Sequence, residues 1–145
     1  MIGGQVLDTT EKYNGKDIDK LKYILRIYEL KTSCLFEAAL LSGAILGGAS
    51  EDELKLIETA GYALGIAFQI EDDILDVTSD TSTLGKSVNI DEKNDKDTVV
   101  RLYGMEKAKA LVDQYTSMAV TNLKKTGKDT GFLCELFESL VYRRL

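Results

Sequence analysis

GYALGIAFQIEDDILD, residues 61–76, is the stretch whose reading decides the fold. Ala63, Leu64, Ile66, Ala67, Phe68, Ile70, Ile74 and Leu75 follow helical spacing, yet cover nearly every direction around the axis. A helix apolar on all sides is normally buried among other helices. At about 100° per residue, with Asp72 at zero, Gly65 stands near 20°, Asp76 near 40°, Gln69 near 60° and Asp73 near 100°. One face therefore carries three carboxylates and an amide, with glycine beneath them; Asp72 and Asp76 are i,i+4 neighbours. Carboxylates crowded at the C-terminal end, with Glu71 beside them, repel one another, and the partly negative helix end adds to the cost. Two readings stay open at this point. One is a solvated acidic helix end; the other is a cluster held by a multivalent cation in an apolar surround.

Working outward, Ser50 reads as an N-cap followed by Glu51, Asp52 and Glu53, so this helix is expected from Ser50 to about Val77. Upstream, residues 31–48 form a strongly apolar helix that stops at a glycine pair. Its Ser42, Gly43, Ala44, Gly47 and Gly48 predict close approach by a neighbouring helix. Its apolar stretch from Leu35 to Ala49, about 15 residues, is too short for a membrane span, which needs roughly 20 apolar residues, and it contains Glu37, so a buried core helix is expected. Residues 17–30 place Ile18, Leu21, Ile24, Leu25 and Tyr28 at helical spacing, and Asn14-Gly15 marks a turn after residues 1–13. Downstream, residues 78–97 are polar and aperiodic and predict a long loop. Residues 98–126 look helical with a join near Gly104, and residues 130–145 form a last helix. The expectation is one all-α domain over residues 1–145.

Composition narrows the chemistry. The chain has 145 residues, 44% hydrophobic and 29% charged, enough for a real core. Eighteen basic against 24 acidic residues give a net charge of −6, which argues against nucleic acid or an anionic lipid surface as partner. There is no proline, so long helices are permitted. There is no histidine, which excludes the usual zinc sites, di-iron Glu-x-x-His bundles and histidine-based triads. Any metal must sit on oxygen ligands: magnesium, manganese or calcium. Cys34 and Cys134 form no C-x-x-C pair and read as two reduced, buried thiols. No basic-then-apolar leader opens the chain, so a cytoplasmic location is expected.

At FQIEDDILD, residues 68–76, the sequence resembles the second aspartate-rich region of trans-isoprenyl diphosphate synthases such as farnesyl and geranylgeranyl diphosphate synthases. Gly4-Gln5-Val6-Leu7-Asp8 is similar to that family's GQ-x-LD helix end, and Lys31-Thr32 to its KT pair. Gly85-Lys86 falls in the loop after the aspartates, and residues 91–98 resemble its segment ending in N-x-K-x-T. Each piece is weak alone; five in order over essentially the whole chain are specific. The resemblance implies an all-α helical bundle and an enzyme that joins an allylic diphosphate to isopentenyl diphosphate with magnesium, two or three ions when complete, manganese being an allowed substitute. It implies that Asp72, Asp73 and Asp76 hold magnesium on the allylic diphosphate. It implies that Lys31 and Lys86 pair with that diphosphate, and that Thr32 and Gln69 aim oxygen dipoles at the developing allylic cation. Asp91 and Lys96 would close the loop over the site, and Arg143 and Arg144 would lie near the second diphosphate.

The family has about twice this length and a second aspartate-rich region on a facing helix, for which this chain has no counterpart. The resemblance therefore implies a fragment, the C-terminal half, with little or no prenyltransferase activity alone. Half a bundle would leave the apolar faces of residues 31–48 and 54–76 without partners, which predicts a homo-oligomer. Ser87 and Asn89 stand where the family often has proline and glycine, so a less rigid loop is implied. Two other functions compete: a terpene cyclase-like protein, against which the KT pair and GK loop argue, and a non-catalytic helical subunit that retains the fold.

Overall fold

The expected helices form, and their boundaries follow local chemistry. The computed structural model describes residues 2–9, 19–83 and 97–143. Every regular element among them is helical: α1 (Ile2–Thr9), α2 (Lys20–Tyr28), a π-helical turn (Glu29–Ser33), α3 (Cys34–Leu46), α4 (Glu51–Thr83), α5 (Val99–Tyr103), α6 (Met105–Lys125) and α7 (Gly131–Val141). The all-α reading therefore holds. At the start of α4 the Ser50 hydroxyl accepts from the Glu53 amide at 3.3 Å, and Glu53 accepts from the Ser50 amide at 2.7 Å. This reciprocal pair is a capping box. Asp19 caps α2 by accepting from the Lys22 amide, and Gly104, at φ 81°, breaks α5 from α6 where the join was expected. Asn14-Gly15 lies outside the described residues.

Three boundaries differ from the sequence expectation, one of them being that α7 ends at Val141, short of the expected residue 145. α4 does not stop at Val77 but continues to Thr83, so the first part of the expected loop is helical. No glycine or proline interrupts residues 78–83, and Thr78 turns its hydroxyl back onto the Ile74 carbonyl at 2.9 Å, satisfying itself within the helix. There is also no break before Lys31. α2, the π turn and α3 run on continuously, with the KT pair inside the π turn rather than at a helix start.

α4 is the axis of the molecule, packed against α2, α3, α5, α6 and α7. Ala60, Ala63, Leu64, Ile66, Ala67, Ile70 and Ile74 are all buried, joined in the core by Ile24, Val99, Val112, Leu123 and Phe137. The closest helix approach runs through glycines of α4. A Cβ on Gly65 would stand 2.3 Å from the Ser33 Cα, and one on Gly61 would stand 2.9 Å from the Glu37 Cα. Only glycine admits a neighbouring backbone that close.

The expectation for α3 needs correcting on two points. None of its residues is buried, and Leu35, Ile45 and Leu46 are exposed, Leu46 by 89%. Its small residues do not draw a neighbour in: nothing lies within 4 Å of a Cβ on Gly43, and one on Gly47 meets only carbonyls of its own helix. α3 meets α4 most closely at Glu37, and at its far end Gly43, Ala44 and Gly47 line a cavity with Glu53 and Ile57 of α4, Leu123 of α6 and Leu133 of α7. Uncovered apolar surface was expected on both helices; among the described residues α3 carries more of it, with Val77 near the end of α4 also exposed. No described helix is long and apolar enough to cross a membrane. Both cysteines are free, Cys134 buried and Cys34 only partly so.

Candidate active site

The site begins with the π turn, an irregularity that adds one residue to a helical turn and is often found where side chains must be re-aimed. It is braced from two sides. A Cβ on Gly4 of α1 would stand 2.5 Å from the Lys31 backbone nitrogen, while Gly65 of α4 presses on Ser33. The buried Ser33 hydroxyl ties the turn to α4 by donating to the Tyr62 carbonyl at 3.0 Å. So braced, the turn faces the Gln69–Asp73 segment of α4.

Thr32 donates its hydroxyl proton to the Gln69 Oε1 at 2.6 Å, which fixes the Gln69 carbonyl toward Thr32 and its amide toward Asp73. Asp73 accepts from Gln69 and from the Tyr28 hydroxyl, and Lys31 and Asp76 lie close enough to act on its charge. Burial pushes the Asp73 carboxyl from an ordinary 3.8 up to about 6; Asp76 adds to the rise, while Tyr28, Lys31 and Gln69 oppose it. A carboxylate so desolvated has an unmet demand for positive charge.

The other carboxylates divide. Asp72 forms an ion pair with Arg143, whose guanidinium also lies 4.1 Å from the Phe68 ring centroid, a cation–π contact. Glu71 is lifted by burial, against the pull of Arg143 and Lys109. Asp76 is exposed. Among the described residues no three carboxylates or thiols gather into a closed cage, because the 100° step between Asp72 and Asp73 sends them to different neighbours. The donor set still suits magnesium. It is all oxygen, histidine is absent from the chain, and magnesium takes one or two carboxylates with substrate phosphates and water for the rest.

Lys31, Thr32, Gln69 and Asp73 come together although almost 40 residues separate the two pairs in sequence. The family model for polyprenyl synthetase matches residues 1–133. The chain belongs to this family. A geranylgeranyl pyrophosphate synthase of Arabidopsis thaliana, number 7, chloroplastic, is 38% identical over 119 residues, 82% of this chain and 34% of that protein. Large subunit 2 of a heterodimeric geranylgeranyl pyrophosphate synthase from the same plant is 34% identical over 143 residues, 97% of this chain and 36% of that protein. The apo crystal structure of an FPP/GFPP synthase from Zymomonas mobilis is similar at a TM-score of 0.75 and 28% identity, covering 97% of this chain and 45% of that one. This polyprenyl synthetase family member thus spans about a third of the length of the curated relatives it matches.

Of the residues expected in the site, Lys86, Asp91, Lys96 and Arg144 lie outside the described residues. Arg143 folds onto α4 against Asp72 and Phe68, a pairing across 71 sequence positions that no local pattern encodes. Tyr28 is the residue the sequence reading missed. It counted as a core position on α2, and the clue was its hydroxyl, which a buried tyrosine must satisfy.

Proposed function

We propose that this chain supplies one wall of the active site of a trans-isoprenyl diphosphate synthase, which condenses an allylic diphosphate with isopentenyl diphosphate. The observation that carries the reading is the meeting of Lys31 and of Gln69, itself held by Thr32, at Asp73, a half-buried carboxylate lifted to about 6 by desolvation. Asp73, Asp72 and Asp76 would hold magnesium, two or three ions in the complete enzyme, or manganese. Bound magnesium supplies positive charge that stabilises a departing diphosphate. Lys31 presents a compact ammonium to the same phosphate oxygens. Thr32, its hydroxyl donating a hydrogen bond to Gln69, keeps oxygen lone pairs for a developing allylic cation, a fixed dipole that needs no reorganisation. The carbon–oxygen bond of the allylic diphosphate breaks, the double bond of isopentenyl diphosphate adds to the resulting cation, and the proton then lost goes to the departed diphosphate, so no nucleophilic side chain is required. Lys86, Lys96, Arg143 and Arg144 belong to the same proposal as groups for the two diphosphates, Arg143 on exchange from Asp72. The cytoplasmic location expected from the sequence remains part of the proposal, although the plant relatives are described as chloroplastic.

A second reading has its own support. The uncovered face of α3 favours a helical subunit that works with a partner, a second copy of itself in the first instance, and one relative is the large subunit of a heterodimer. Calorimetry with a bisphosphonate, with and without magnesium, separates the two. The enzyme reading expects magnesium-dependent binding that Asp73→Ala or Asp72→Ala abolishes. A folded protein that binds none, or binds equally well after both substitutions, overturns it. Coupling of isopentenyl and geranyl diphosphates by this chain alone is expected to be slight or absent.

A further inference from the structure

Tyr28 stands where three helices meet. Its ring, on α2, is 5% exposed. Its hydroxyl oxygen accepts from the amide of Val99, the fully buried first residue of α5, at 3.3 Å, and its proton goes to Asp73 on α4. We propose that Tyr28 is a positioning residue for Asp73, its hydroxyl locking the carboxylate that would receive the cation to the first turn of α5. This rests on the proposed diphosphate site.

The geometry leaves the phenol little choice. A phenol has one proton. With the Val99 amide pointing at its oxygen, that proton is directed away from α5 and toward the carboxylate. Val99 is fully buried, so leaving its amide unpaired would carry a desolvation cost, and this holds the oxygen in place. Gln69 restrains the carboxylate from within α4, while Thr32 fixes Gln69. The result is a continuous path, Thr32 to Gln69 to Asp73 to Tyr28 to Val99, which joins the π turn, α4, α2 and α5. A carboxylate held in this way is aimed before any ligand arrives. Loss of such outer hydrogen bonds typically weakens a metal site about 10- to 100-fold.

Tyr28→Phe tests the role, because it keeps the ring and removes both bonds. With inorganic diphosphate as the probe, the magnesium concentration for half-maximal binding should rise about tenfold, while affinity at saturating magnesium changes less than about twofold. A role confined to stability would lower both together or neither, and either result overturns the proposal. A second arm does not need the ligand site. In the metal-free protein at constant pH, Tyr28→Phe should move the Asp73 carboxyl carbon resonance and speed amide exchange at Val99, and unchanged signals overturn the proposal. If the wild-type protein binds no diphosphate, the functional reading fails and this arm alone decides the role of Tyr28. Should Tyr28→Phe not fold, Asp73→Asn in its place should shift the Tyr28 Cζ resonance, and a fixed resonance counts against the link.

Discussion

α3 and α4 are both apolar, both free of proline, and packed against each other, yet one is the core of the molecule and the other is half outside it. Along α4 seven apolar side chains between Ala60 and Ile74 are buried; along α3 none is. Hydrophobicity does not separate them, since α3 has the more uniformly apolar sequence. Glycine placement does. Gly61 and Gly65 let the backbone of the π turn and α3 come within side-chain-free distance of α4, whereas Gly43 on α3 meets nothing. A small residue brings helices together only if the partner's register puts a backbone opposite it.

The largest test of this contrast is truncation at matched leucines. Leu64→Ala in α4 should cost about 2–5 kcal/mol, as a large-to-small change in a filled core does, and Leu46→Ala in α3 less than about 0.5 kcal/mol. Urea unfolding would measure both, and equal losses would break the comparison. Next come the glycines. Gly65→Ala would drive a methyl into Ser33 and should destabilise by about 1–3 kcal/mol or more. Gly43→Ala, with open space around it, should stabilise by about 0.5–1 kcal/mol through helix propensity.

A third test uses charge. Asp73 titrates near 6 when folded and near its ordinary 3.8 when unfolded. Between about pH 4 and 6 the native state therefore holds a proton that the unfolded state has released, and stability falls as pH rises through that window. The groups facing it are Tyr28, Gln69, Lys31 and Asp76. In metal-free protein Asp73→Asn should add on the order of 2 kcal/mol at pH 7.5 and almost nothing at pH 3.5. Glu37 on α3 is also raised, by burial and then by Glu29 and Glu58, and Glu37→Gln should give a smaller gain of the same sign. The smallest effect on stability belongs to the outer face of α3. Ile45→Lys with Leu46→Lys should leave helicity unchanged and shift sedimentation from oligomer toward monomer, and a wild-type monomer would remove the need for any partner on that face.

The N-cap at Ser50, the break at Gly104 and the burial of α4 were legible because each depends on neighbours within a few positions. The run of α4 to Thr83 was not, because polar composition hid a stretch with nothing in it to stop a helix. Within the candidate site, the carboxylates and the KT pair could be picked out by residue type and motif, while Tyr28 could not, since one helical position looks like another until its hydroxyl finds Asp73.

By itself the sequence determined an all-helical chain, a central helix apolar on every side, and a chemistry limited to oxygen ligands by the absence of histidine. Only the tertiary structure decided that Asp73 turns inward to Tyr28, Gln69 and Lys31 while Asp72 turns to Arg143, and that α4 rather than α3 is covered. Helical periodicity fixes which side chains share a face, but the rotation and depth at which two helices meet are set by long-range packing, here by backbones seated on Gly4, Gly61 and Gly65.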